Sequence, residues 1–245
     1  MRGYLVRIGI DQAYGHRNAP VDPKTREFVY LPIPDGANKR YSPGLKRSYG
    51  EFLEPLSDFS ASHPQVDPNK VKLPSELVRR NLHLDPDFEY LTYGDNGSKR
   101  GSGVAGLKRG DIVAFYAGLR SIVRQPRLIY ALIGIMVVDE VIPANAVEVS
   151  RRNENAHTRW ASISPEDFVL RGQRGLSGRF DRCLAIGEWR NRAYRVCKDL
   201  EEKWGGLNVT DGYIQRSAVP PSFQSAKRFY AWFRNQHVKL MERNN

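Results

Sequence analysis

The sequence predicts an α+β fold: a mixed, twisted sheet or partly open barrel with flanking helices. Three observations carry that expectation. Two long, apolar, β-branched runs, residues 111–119 and 128–142, read as a pair of central strands. Helical spacing is clearest near the end, where Phe229, Trp232, Phe233 and Gln236 recur along residues 223–241. Strand-like stretches therefore concentrate in residues 1–150 and helical ones in residues 151–245, a segregation that argues against an alternating doubly wound sheet. The 245 residues are read as one domain, 1–245, long enough to bury a sizeable core.

Taken in order, Tyr4-Leu5-Val6-Arg7-Ile8-Gly9-Ile10 alternates in the manner of a first strand. It runs into a loop where Asp11, Tyr14, His16 and Arg17 crowd together, and loops at strand ends are favoured places for binding groups. Residues 28–34 form a second strand, pushed to an edge by Pro32 and Pro34. Residues 37–80 are polar with scattered prolines and one short helix over 75–81. An excursion of that length is functional or covers something. Residues 101–106 match GxGxxG, but the strand follows the glycines instead of preceding them, so a dinucleotide site is excluded. What remains is a flexible basic loop with Lys99, Arg100, Lys108 and Arg109 available to phosphates.

The Gly110-Asp111 turn opens the strand Ile112-Val113-Ala114-Phe115-Tyr116, which delivers Arg120. The connector Arg124-Gln125-Pro126-Arg127 leads into the second central strand. Residues 168–180 interleave glycines with Arg171 and Arg174, a pattern suited to phosphate contact. Residues 189–204 read as a helix with alternating charge that stops at Gly205-Gly206. A short element with Gln215 and Arg216 precedes Pro220-Pro221, and Ser222 caps the last helix, whose aromatics pack into the core.

The two cysteines, Cys183 and Cys197, exclude a disulfide framework and a zinc pattern. No apolar run reaches the ~18 residues of a membrane span, and the N-terminal stretch has no signal-peptide character, so a cytoplasmic location is expected. A net charge of +11 and a pI near 9.7 favour a polyanion, since Lys and Arg displace the counterions of phosphates. Nucleic acid is the expected partner, DNA before RNA, and no membrane.

Chemistry is expected from two polar clusters. In an extended chain, residues two apart share a side, so His83, Asp85 and Asp87 can gather an imidazole and two carboxylates for proton transfer. With one histidine at this spacing no metal is assigned, and Asp85-Pro86 is also a turn-forming pair. Downstream, Asn155 reads as a helix cap or an amide in the same pocket, and His157 as a second acid–base imidazole. The candidate catalytic set is thus Asp11, His83, Asp85, Asp87 and His157. Candidate ligand contacts are Tyr14, His16, Arg17, Lys99, Arg100, Tyr116, Arg120, Asn155, Arg171, Arg174, Gln215 and Arg216. The cofactor is left open.

Several of these segments occur together in one order: Gly9-Ile10-Asp11 with Tyr14-Gly15, Leu31-Pro32-Ile33-Pro34-Asp35, His83-Leu84-Asp85-Pro86-Asp87, Gly110-Asp111-Ile112-Val113-Ala114-Phe115-Tyr116, Asn155-Ala156-His157 and Gln215-Arg216-Ser217. In this the chain resembles the prokaryotic nucleotide-modification-associated domain, third type. The resemblance implies a part in DNA base modification and does not supply the reaction. Residues 108–142 also resemble the PUA-like barrels, whose pocket holds an extruded base. Two functions are therefore expected. The first is a nucleobase-modifying enzyme that flips its target, with Tyr14 or Tyr116 stacking on the base and Arg120 steadying a charge or a phosphate. The alternative is a non-catalytic reader of modified nucleic acid.

Overall fold

The computed structural model describes the whole chain except Gln65, residues 124–126, residues 217–218 and the side chain of Pro68. Part of the basic connector, Arg124-Gln125-Pro126, and Ser217 of the Gln215-Arg216-Ser217 element thus lie outside the described residues.

The first half contributes strands β1 (Gly3–Arg7), β2 (Pro20–Val21) and β3 (Ile33–Pro34), helices α1 (Leu53–Ser62), α2 (Pro68–Val71) and α3 (Ser75–Val78), strands β4 (Leu82–His83) and β5 (Thr92–Asn96), and the one-turn helix α4 (Ser102–Ala105). Strands β6 (Ile112–Ser121) and β7 (Ile129–Pro143) follow, then helix α5 (Ala156–Arg159), strands β8 (Asp167–Gly172), β9 (Gly178–Ala185), β10 (Gly187–Arg190) and β11 (Ala193–Val196), helices α6 (Lys198–Trp204) and α7 (Ala226–Arg234), and strand β12 (Leu240–Met241).

The two expected central strands, β6 and β7, pair antiparallel from Ile112↔Val137 to Leu119↔Ile129. On its far edge β6 takes β1 and β2 in parallel. On its own far edge β7 pairs first with β9 and then, past an irregularity near Val138, with β8, which carries β5. The main sheet runs β1-β6-β7-β8-β5; it is mostly antiparallel and does not close into a barrel.

Alternation in β6 sorts the core, because successive side chains point to opposite faces. Val113, Phe115, Ala117 and Leu119 join one buried cluster with Tyr30, Tyr49, Leu56, Phe59, Leu77, Leu84 and Phe88. Ile112, Ala114 and Tyr116 join the other with Phe180, Trp204, Ile214, Phe223, Phe229 and Phe233. Much of residues 37–80 thus serves as the cover of one sheet face. Burial of a side chain such as Phe115, which is fully buried, is worth about 1.5–3 kcal/mol.

Four expectations need correction. Helices α1–α3 lie before Ile142 and strands β8–β12 after it, so strands and helices are not segregated as expected. Residues 189–204 do not form one helix. Asn191 and Arg192 adopt positive φ of 50° and 60°, which turns the chain into the β10–β11 hairpin before α6. The glycines at 101–106 are not a flexible loop: a Cβ on Gly103 would lie 2.5 Å from the Tyr4 hydroxyl, and one on Gly101 2.8 Å from the Phe168 ring. The last helix is also shorter than expected, because β12 leaves it to pair with β9.

Of residues 28–34 only Ile33–Pro34 is regular strand, and it pairs with β4 in the register Ile33↔His83. That small ribbon sets His83 beside Asp35.

Candidate active site

Three segments meet around His83. The β3–β4 ribbon supplies His83 and Asp35, the following turn supplies Asp85, and α5 supplies His157 and then Trp160. Asn155 fixes α5 at its start: its side-chain oxygen accepts from the His157 backbone N–H at 2.9 Å, while its amide donates to Asp85 Oδ1, also at 2.9 Å. One residue therefore caps a helix and orients a carboxylate. The Gly94 N–H of β5 donates to the same Asp85 oxygen at 2.8 Å. Gly94 has no room for a side chain, since a Cβ there would lie 2.6 Å from both Asn155 Oδ1 and His157 Cδ2.

His157 Nδ1 lies 2.9 Å from Asp167 Oδ2, and Asn96 donates to the other oxygen of Asp167 at 3.1 Å. His83 Nδ1 faces Asp35 Oδ1 across 3.7 Å. Asp35 is held on its other oxygen by Trp160 Nε1 at 2.8 Å and the Tyr41 hydroxyl at 2.6 Å. The Asp35 oxygen that faces His83 also accepts from the Gly36 N–H at 3.0 Å. The Nε2 atoms of both histidines then turn toward the second oxygen of Asp85, at 3.9 Å from His83 and 4.0 Å from His157. The Trp160 ring packs against both imidazoles, and Lys39 Nζ sits 3.1 Å from the centre of its ring system.

The electrostatics follow from burial. Burial pushes the Asp85 carboxyl up to about 7, although His157 and the bonds from Gly94 and Asn155 pull the other way. Burial, helped by the nearby His157, drives His83 down to about 3. For His157 burial alone would lower the pKa, but the hydrogen bond to Asp167 and the charges of Asp85 and Asp167 outweigh it and raise it.

These shifts predict two opposing pH dependences in metal-free protein. Asp85 holds its proton more tightly when folded, so between its ordinary 3.8 and about 7 stability falls as pH rises. His83 holds its proton less tightly when folded, so between about 3 and its ordinary 6.5 stability rises with pH. Urea titrations from pH 4 to 6.5 should show Asp85→Asn gaining stability with pH relative to His83→Gln. Parallel profiles for the two variants would remove this account of the cluster.

A family model described as nucleotide modification associated domain 3 matches residues 2–196. The chain belongs to that family. No curated protein and no solved structure matches it. The residues that match the domain 3 model include His83, Asp85, Asn155 and His157, whereas Gln215 and Arg216 lie beyond them.

The other sequence-derived candidates are placed elsewhere. Asp11 anchors its own loop, accepting from the Ala13 and Tyr14 N–H groups and pairing with Arg7. Asp87 is fully buried against Arg159 at 2.6 Å. Tyr116 is buried in the core and donates to the Ile214 carbonyl, so it offers no stacking face. Arg171 is tied to Glu154 and Glu140, and Arg174 to Glu242, which leaves the β8–β9 hairpin less available to phosphates than its composition implies. Arg100 donates to the Arg7 carbonyl near Asp95, Lys99 and Arg216 are exposed, and Gln215 accepts from the Tyr194 N–H.

Tyr14 is 59% exposed. His16, Arg17 and Arg120 line a cleft of about 560 Å³ together with Lys70 and Lys72. Burial and the charge of Arg120 lower the pKa of Arg17 there.

Sequence reasoning missed Asp35, Lys39, Gly94, Trp160 and Asp167. Asp167 and Trp160 follow His157 by ten and three positions, but nothing in the spacing says that one bonds the imidazole and the other packs against it.

Proposed function

We propose that the protein is an enzyme that modifies a nucleobase in DNA, with His83, Asp85 and His157 as its reactive centre. Membership of the nucleotide modification associated domain 3 family supports involvement in nucleotide modification. One observation carries the step from there to an enzyme. Two imidazoles and a carboxylate converge, with His157 and Asp85 each held on one side by hydrogen bonds, His83 packed against Trp160, and one unbonded atom of each facing the others. A protein that only binds a base has no need of a carboxyl poised near neutrality beside two histidines.

The net charge of +11 supports DNA as substrate, and the cleft that holds Lys72 and Arg120, with Arg17 tied to the Lys70 and Lys72 carbonyls at its wall, suits its backbone. The target base leaves the stack at a cost of roughly a few kcal/mol, which phosphate contacts offset. The exposed Tyr14 ring offers a stacking surface. Among the described residues no helix is long and apolar enough to cross a membrane; a cytoplasmic location, where such DNA is met, is part of the proposal.

The test is mass spectrometry of nucleosides from DNA of the native host and of a strain lacking the gene. The expected result is a nucleoside mass present only with the protein. If no mass differs while the purified protein still binds DNA, a non-catalytic reader replaces the enzyme.

A further inference from the structure

We infer that His83, Asp85 and His157 bind a single divalent first-row transition-metal ion, which leaves coordination positions open for water or substrate. This deepens the reading above by naming the agent of the same site, but the argument for it is geometric and needs no nucleic acid.

The donor atoms are His83 Nε2, His157 Nε2 and an oxygen of Asp85, and the three lie within 4.8 Å of one another. None of them takes part in a hydrogen bond. Their nearest approaches are the 3.9 and 4.0 Å separations between the Asp85 oxygen and the two rings. Ligands at the usual bond lengths of about 2.0–2.2 Å sit roughly 3–3.5 Å apart around one ion, so a small inward rotation of the side chains completes the site. Asp85 and His157 are buried, and the three atoms converge with no hydrogen-bond partner among the described residues.

The surroundings fit an ion better than they fit an isolated carboxylate. His157 has Asp167 behind its Nδ1, and His83 has Asp35 behind its own. The hydrogen bond to Asp167 fixes the His157 tautomer that leaves Nε2 free to bind metal and raises its basicity, whereas His83 Nδ1, 3.7 Å from Asp35, makes no hydrogen bond. Asp85 is oriented in the same way, by Gly94 and Asn155 on its other oxygen. The three carboxylates balance the charge of an ion. Imidazole with carboxylate suits zinc, iron, manganese or cobalt more than calcium or magnesium, which prefer oxygen alone. Three protein ligands mark a reactive site, since structural zinc is normally held by four. The sequence concealed the set because only two of the three are near neighbours.

The full-length protein, stripped with chelator and checked for folding by circular dichroism, is titrated with Co²⁺ and with Zn²⁺. Visible absorption reports the first and calorimetry the second. One equivalent of each ion is expected, with cobalt bands characteristic of nitrogen and oxygen ligands. Asp85→Asn keeps the side chain's shape and replaces its free oxygen, and should abolish the stoichiometric site. Asp167→Asn should weaken it by about 10- to 100-fold through His157 alone. His237→Asn, at an exposed histidine with a positive φ of 52° that Asn tolerates, should leave it unchanged.

No binding by folded wild-type protein, or one equivalent that survives Asp85→Asn and His157→Ala, overturns the inference. Neither result touches the nucleoside measurement. A new base without a metal site refutes the ion and keeps the enzyme, and a metal site without a new base does the reverse.

Discussion

Asp85→Asn is expected to lower the yield of modified nucleoside by roughly 100- to 10,000-fold, the range by which a positioned proton-transfer group accelerates a reaction, while the chain stays folded. The substitution is close to isosteric. Asn offers an oxygen to the same two donors, Gly94 N–H and the Asn155 amide, so the turn after β4 keeps its anchors. It loses the charge and the second oxygen, the atom that faces both Nε2 nitrogens. Because burial already raises the Asp85 pKa to about 7, neutralising this side chain removes little stability, and above pH 4 should add some. Activity and stability therefore move apart, which separates a reactive carboxylate from a merely structural one. The check is nucleoside mass spectrometry on DNA from a deletion strain complemented with each form at matched protein level. Undiminished yield with Asp85→Asn would place the reactive centre elsewhere.

What the sequence made legible was local. The β6 and β7 runs are apolar on both faces because the sheet is covered on both, and such runs read as central strands without help. His83, Asp85 and His157 stood out by residue type. The same logic over-selected. Asp87 shares the extended spacing of Asp85, yet in the fold it is fully buried against Arg159 and does not join the cluster. Tyr116 closes an apolar run in the sequence, but it lies inside β6, on the face covered by α6 and α7. Asp35 and Asp167 escaped notice because their partners are 48 and ten residues away, and pairing at such distances is fixed by the β3–β4 register and by the β5–β8 pairing that positions Asp167. Long-range register is set by how whole faces bury, which no local pattern states. Charge misled in a similar way. Arg171 and Arg174 are spent on Glu154, Glu140 and Glu242, and which basic residues keep free heads depends on folded neighbours.

Arg159→Met is expected to destabilise the fold by about 3–5 kcal/mol, a large part of the roughly 5–15 kcal/mol that holds a typical domain together. Arg159 and Asp87 form a buried ion pair at 2.6 Å, with Asp87 fully buried and the Arg159 side chain almost so. Removing the guanidinium leaves the carboxylate in the interior with only the Glu89 N–H and the Asn244 amide as donors. It also frees the Asn153 carbonyl, which Arg159 ties through Nε. The pair was not needed for stability as such, since taking two charges out of water consumes most of what their attraction returns. Hence the double variant Asp87→Asn with Arg159→Met should recover much of the loss. The effect reaches the site along the chain, because Arg159 sits in α5 between His157 and Trp160, and a loosened α5 lets both rings leave Asp85. Urea unfolding of the single and double variants measures the stabilities, and the cobalt titration on the same samples measures the site. A single variant within about 1 kcal/mol of wild type would match a surface pair instead, and would mean that the interior around Asp87 is far better hydrated than its burial implies.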